Sequence, residues 1–414
     1  MKGKSFSIAA LSAFAQYYNY HLFGFLAINL GQYFSTSDES MLQLKNTYLF
    51  MALAMLGKPV GALALGRVGD IYGRSNVFGI SMAGTSLASA FIAFTPDYRY
   101  VGIIATIIIL LARTITCALV GSGSDGVRIY VYEHLGKDRQ CFGVSLTNIF
   151  VQFGSFSASA ATWFFTLDFL PKFAWRGAFL LGSIIGFVVV YLKYRWQIGD
   201  EIRTKENDRF REFEKLSSIG IIRKNFVLFI SCLVITGCIG STTQFFIIFF
   251  GTYNFGVLKN IDQSTMQFYT SVSLGIYMVF SLVSGWVCDR YGNFKIISIA
   301  VILLCLLSVG NLYVLSFGDI NIPLYLLTIC TLPLLTMPAA LILKQSIPIV
   351  IRYRIFSLSH AMGSILISAP TAFVSTWLYY ETNLGWLPML YFIFTISLMF
   401  IFLNKAKNYI AQKA

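Results

Sequence analysis

Residues 16 to 24 read QYYNYHLFG, which puts two amides, three tyrosines and an imidazole inside an apolar run, SFSIAALSAFAQYYNYHLFGFLAINLGQYF, long enough to cross a bilayer. A charge at the bilayer centre costs roughly 2.5 to 3.5 kcal/mol on insertion scales, so polar side chains at that depth must face a cavity or a partner. At helical spacing Gln16, Asn19, Tyr20 and Phe23 share one face, and Tyr17, His21 and Gly24 line the adjacent one. Such a stripe can hold an organic solute through hydrogen bonds and ring faces. It can also stitch helices to one another. His21 could contact a ligand, carry a proton or be satisfied by a neighbour.

Three basic residues stand deep in other apolar runs: Lys58, Arg113 and Lys344, the last followed by Gln345. Interior acids are few, chiefly Asp125, with Asp70, Glu133 and Asp289 nearer the ends of their runs. An unmatched basic residue facing a wet cavity favours a solute bearing a carboxylate, through charge-assisted hydrogen bonds. The alternative is internal pairing, but Arg113 and Asp125 are twelve residues apart, about 18 Å along one helix. Asn148 and Gln152, one turn apart, and the run Ser241, Thr242, Thr243 and Gln244 could line a cavity or bond helices together.

The elements that must position these groups follow from composition. The 414 residues are 57% hydrophobic and 12% charged, with a mean hydropathy of +0.70, which marks a membrane protein. A spanning helix needs about 20 mostly apolar residues. Twelve such runs are expected, near 6–34, 45–66, 76–95, 101–127, 141–166, 176–196, 225–251, 265–287, 295–316, 322–350, 354–379 and 386–404. The first is too long for a signal-peptide core of roughly 7 to 15 residues and is expected to be retained.

The net charge of +13 could suggest nucleic acid, but its placement points to orientation instead. With both termini cytoplasmic, the inner side collects most Lys and Arg, nine of them between Lys193 and Lys224, and the outer side holds Lys45, Arg99, Lys172, Arg176 and Lys259. The seven cysteines show no metal or disulfide spacing. No HExxH, GxSxG or Walker pattern points to an enzyme.

The most polar stretch, WQIGDEIRTKENDRFREFEKLSSIGIIRKN, separates two six-helix halves, expected at 1–196 and 225–414 with a charged cytoplasmic linker at 197–224. The halves carry a repeat. GRVGDIYGRSN at 66–76 aligns with GWVCDRYGNFK at 285–295, so that Gly66, Asp70, Tyr72 and Gly73 match Gly285, Asp289, Tyr291 and Gly292 at one offset of 219. The first glycine of each copy allows close helix approach, the last permits a tight turn, and the acid caps or pairs at a helix end. Arg74, Arg290 and Lys295 are candidate partners. The pair is expected to form a latch on the cytoplasmic side rather than two ordinary turns.

With these residues the chain resembles the major facilitator superfamily, whose signature loop GxxxDxxGRK lies between helices two and three and recurs, weakened, between eight and nine. Within it, Lys58, Pro59 and Gly61, then Glu133, His134, Arg139 and Phe142, Trp175 and Arg176, and Pro348, Arg352, Tyr353, Ser357 and Leu358 resemble the metabolite:proton symporter branch, which includes proline/betaine and dicarboxylate carriers. The resemblance implies an all-α membrane protein of twelve helices in two pseudo-symmetric bundles, with a central solute site that opens alternately to either side. Lys58 takes the place of a family Arg, which implies a gating or structural role.

Departures from that branch are specific. Its ExxD pair in the first helix is here Gln16 and Asn19, its GGE element is Gly121, Ser122 and Gly123, and an acid before the Pro of helix ten is Gln345. An amide keeps hydrogen bonds but exchanges no proton at physiological pH. Proton-coupled uptake and uncoupled facilitation or exchange therefore both stay open. The fifth span has no Pro and lacks the Gly-Pro element of drug antiporters, which favours import. A solute receptor is the remote alternative; it would be expected to carry a sizeable cytoplasmic domain or tail, and about ten residues follow the last expected span. The expected partners are a small organic solute, the proton and the lipid bilayer, with no nucleic acid, cofactor or metal; a monomer in a bacterial inner membrane is expected.

Overall fold

The computed structural model describes residues 3–26, 30, 53–134, 136, 139–167, 169–196, 218–250, 253–254 and 263–411. The expected linker lies outside the described residues as far as 217, as do Lys45, Lys259 and the first part of the second span.

Each of the twelve expected spans carries helix: α1 (Gly3–Phe25), α2 (Gly57–Tyr72), α3 (Arg74–Phe94), α4 (Ile103–His134), α5 (Gln140–Phe165), α6 (Arg176–Arg195), α7 (Phe226–Thr243), α8 (Gln263–Tyr291), α9 (Asn293–Ser316), α10 (Ile322–Ser346), α11 (Arg352–Gly363) and α12 (Leu387–Ala411). After Thr243 the chain continues through a π-helical turn, Gln244–Phe249. A second such turn, Ser364–Ser368, carries α11 on into a helical stretch at Thr371–Thr382. α4 runs seven residues past the expected end at 127, because Ile129, Tyr130 and Val131 are buried and continue its packed face.

Helix faces divide as a bilayer requires. On α4 Ile104, Ile107, Leu111 and Ile115 are exposed, while Ala105, Ile109, Ala112 and Thr116 are buried. α9 repeats the pattern, with Ile302, Leu306, Val309 and Tyr313 outward and Ala300, Leu304, Ser308 and Asn311 inward. The outward stripes are apolar and the inward ones small or mildly polar, the arrangement of helices solvated by lipid rather than water.

The chain separates into two compact units. One comprises Met1–His134, Phe150–Ile221 and Ile349–Ala361; the other comprises Leu135–Ile149, Ile222–Pro348 and Met362–Ala414. In the first, α3 packs on α4 and α6, α2 on α4, and α1 on α4 and α6. In the second, α9 packs on α10 and α12, α8 on α10, and α7 on α10 and α12. Adding six to each helix number turns one set of five pairings into the other, so the sequence repeat is also a packing repeat.

Each unit has its own apolar centre. In the first, Tyr18, Leu22, Phe23, Ile92, Ile109, Trp175 and Phe179 are buried together, and Tyr18 donates to the Ala178 carbonyl at 3.1 Å. Arg176 ties the start of α6 to the end of α3 through Asp97 and the Ala93 carbonyl. In the second, Phe250 stacks on Tyr325 with ring centroids 5.1 Å apart, and Phe246 meets Phe392 edge-on at 4.6 Å.

Candidate functional site

The repeated junctions act on helix starts. Gly73 is the single residue between α2 and α3, and Gly292 the single residue between α8 and α9. Their φ angles of 96° and 90° lie where a side chain is strained, so glycine is needed for the turn. Asp70, one turn before Gly73, accepts hydrogen bonds from the backbone amides of Tyr353 at 3.2 Å and Arg354 at 3.1 Å, the second and third residues of α11. Asp289 accepts from the amides of Cys141 at 2.9 Å and Phe142 at 2.8 Å, the second and third residues of α5. Both carboxylates thus satisfy orphan donors and sit at the positive end of a helix dipole.

The first glycines of the repeat permit these approaches. A Cβ at Gly66 would lie 3.3 Å from the Arg354 Cα, and one at Gly285 would lie 2.7 Å from the Phe142 Cα and 2.6 Å from the Ser145 hydroxyl. The surroundings differ. Asp70 is 1% exposed and also faces Arg74 at 3.4 Å and Arg354 at 3.4 Å. Glu133 extends that network, taking Arg74 at 3.2 Å and Arg352 at 2.8 Å, and Arg74 donates to the carbonyls of Gly69 and Ile349. Asp289 is half-buried beside an open cavity of about 440 Å³ lined by Arg139, Phe142, Trp286 and Arg290. Arg290 lies over the rings of Trp286 and Tyr291.

The polar stripe of α1 splits between two uses. Asn19 is buried and fully engaged: its amide donates to the carbonyls of Ala15 and Gly182 at 3.1 and 3.2 Å and its oxygen accepts from Ser89 at 2.7 Å. It joins α1, α3 and α6, which is the helix-bonding alternative. Gln16 is fully buried, and neither amide atom has a hydrogen-bond partner among the described residues; it lies against Gly123 of α4.

Tyr20 is the centre of a cationic cluster. The Arg113 guanidinium stands 4.7 Å from its ring centroid and the Lys58 ammonium 5.4 Å. Arg113 also covers Phe23 at 4.9 Å and donates to the Tyr20 carbonyl at 2.7 Å. The His21 ring is 5.2 Å from Tyr20 and 5.8 Å from Tyr17. Neither Lys58 nor Arg113 forms an ion pair among the described residues.

The other expected site residues lie elsewhere. Asp125 is paired, not with Arg113, but with His360 at 2.9 Å and Arg128 at 3.6 Å. Asn148 approaches Ser281 of α8 at 3.4 Å. Gln152 and Gln244 are half-buried, the latter opening the first π-helical turn. Lys344 is completely buried and donates to the Ala340 carbonyl. Gln345, expected in the solute path, is exposed at the end of α10 with its amide 3.4 Å from that of Gln140; its neighbours Lys344 and Ser346 are buried, so it stands on the opposite face of the helix.

The family model described as Major Facilitator Superfamily matches residues 8–365. The chain belongs to the major facilitator superfamily. As a member it is a multi-pass integral membrane protein and a secondary transporter, not an enzyme. Among similar proteins, a Staphylococcus aureus protein under the name of a proline/betaine transporter is 26% identical over 384 residues, spanning 89% of this chain and 80% of its own length. The glycine betaine/proline/ectoine/pipecolic acid transporter of Dickeya dadantii is 24% identical, spanning 94% of this chain and 80% of its own. A solved proton:xylose symporter shares the fold with a TM-score of 0.74 at 14% identity, covering 97% of this chain and 95% of its own.

Two groups escaped the sequence reading of this superfamily member. His360, one of three histidines in the chain, could have been noticed as a titratable residue inside an apolar span. Arg354 carried no such signal; its link to Asp70 joins residues 284 positions apart.

Proposed function

We propose that the chain imports a small polar organic solute bearing a carboxylate, of the amino-acid or betaine class, by alternating access between two six-helix halves. The observation that carries this reading is the pair of cations, Lys58 and Arg113, held over one tyrosine ring with no acidic partner among the described residues. A carboxylate arriving there gains charge-assisted hydrogen bonds, and Tyr20, His21 and the unpartnered Gln16 add ring and amide contacts. The names of the relatives, proline and betaine carriers, agree with that chemistry. Asn148, Gln152, Gln244 and Lys344 stay candidates for contacts from other helices. The acid-capped helix starts at Asp70 and Asp289 serve as the cytoplasmic latch, released and re-formed as the halves rock. Both termini face the cytoplasm, and the monomer is the working unit in a bacterial inner membrane.

The test is uptake of labelled L-proline, glycine betaine and ectoine into proteoliposomes. Arg113→Ala should weaken apparent affinity roughly tenfold to a hundredfold, the equivalent of losing about 1.5 to 3 kcal/mol from a hydrogen bond to a charged group. An uncharged polyol carried in preference to all three, or full affinity in Arg113→Ala, would contradict the proposal. A second reading, an uncoupled facilitator or exchanger, draws on the amides Gln16, Asn19 and Gln345 at positions where the related branch carries acids.

A further inference from the structure

We propose that Asp125 of α4 and His360 of α11 together form the proton-carrying site of the transport cycle. The inference rests on the secondary-transport reading above and supplies the coupling group that reading lacks. Asp125 is 1% exposed, and the His360 Nδ1 lies 2.9 and 3.0 Å from its two carboxylate oxygens. Such a pair is costly to bury unless each member answers the other. An imidazole and a carboxylate in contact can also share or pass a proton, and parting them changes which of the two holds it.

The other charged or titratable groups facing the pair are few. Arg128, on the helix of Asp125, stands 3.6 Å from the same carboxylate and donates to the Tyr17 hydroxyl of α1 at 3.0 Å. Tyr353, on the helix of His360, lies against Gly126 and donates to the Ser122 carbonyl, with Asp70 and Arg74 beyond it. Lys58 of α2 packs one turn away against Gly121. Arg128 and His360 therefore compete for one carboxylate. Tyr17 also lies 5.8 Å from His21, so Arg128 connects the pair to the cationic cluster.

Placement in the chain supplies the coupling. Asp125 and His360 both belong to the first compact unit, but His360 stands on its last stretch, Ile349–Ala361, two residues before the chain passes to the second unit at Met362. A rearrangement that draws the stretch Ile349–Ala361 away from α4 parts the imidazole from the carboxylate. One proton would enter the joined pair from one side of the membrane and leave the parted pair to the other; the bonds made and broken are N–H or O–H alone.

Two measurements decide it. Without any solute, the difference in unfolding temperature between wild type and His360→Gln should change with pH, since only the wild type carries the imidazole; a constant difference overturns the proposal. In proteoliposomes supplied with L-proline, glycine betaine or ectoine, His360→Gln and Asp125→Asn should lose about tenfold of pH-gradient-driven accumulation, a coupling loss of ordinary size. Exchange of solute at equal pH should persist in His360→Gln, and Asp125→Glu should recover part of the accumulation. Undiminished accumulation in His360→Gln, or accumulation driven by a sodium gradient instead, overturns the assignment. Failure of the wild type to move any of the three solutes would refute the solute class proposed above, and the unfolding measurement would still decide the pair.

Discussion

Asp70 and Asp289 occupy matching places in the repeat and perform the same local task, each accepting from the second and third amides of a helix. Their surroundings are unlike. Asp70 is buried within a network that includes Arg74, Arg354, Glu133 and Arg352, and Asp289 stands half-buried in the lining of a cavity. The repeat therefore preserves the cap and lets the electrostatics diverge. A cap near water contributes modestly because its donors can turn to solvent. A buried carboxylate between two guanidinium groups is different, since removing it takes a charge partner from both cations at once.

The largest expected effect separates the two sites at once. Asp70→Ala should destabilise the folded protein by about 3 to 5 kcal/mol, the cost of breaking a buried ion pair by removing one partner, read as loss of unfolding free energy in lipid nanodiscs. Glu133→Gln, which leaves Arg74 and Arg352 with a neutral acceptor, should cost about 1 to 3 kcal/mol in the same assay. The order then reverses at the glycines. Gly285→Ala forces a Cβ within 2.7 Å of backbone and should cost about 1 to 3 kcal/mol by overpacking. Gly66→Ala meets its nearest atom at 3.3 Å and should cost less than about 1 kcal/mol. Asp289→Ala, the loss of a part-exposed cap, should cost about 0.5 to 2 kcal/mol. Equal losses for Asp70→Ala and Asp289→Ala would mean that the buried network adds nothing to the cap.

Much of the architecture was legible in the sequence. Run length and composition located every span, and four identities at one offset exposed the repeat before any packing was known. The tight turns at Gly73 and Gly292 followed from residue type, since few others tolerate that φ. The site was legible only in outline. Asn19 illustrates why: an amide at helical spacing looks the same whether it meets a solute or bonds three helices, and only the positions of Ser89 and Gly182 decide it. Gln345 stood next to a buried lysine in the sequence, yet one residue of rotation turns it to the exposed face between Lys344 and Ser346. Besides their local partners Arg74 and Arg128, Asp70 and Asp125 are held by groups on α11, far along the chain, and pairing at that distance leaves no local pattern to read.

The unequal grip on two helix starts is tested most directly by amide hydrogen exchange at Tyr353 and Arg354 compared with Cys141 and Phe142 in the full-length protein. The α11 amides should exchange more slowly than the α5 amides. Asp70→Asn should speed the first pair by about tenfold or more, the kinetic image of losing at least about 1.4 kcal/mol of local protection, and leave the second unchanged. Equal protection of the two pairs, or α11 amides indifferent to Asp70→Asn, would contradict the account.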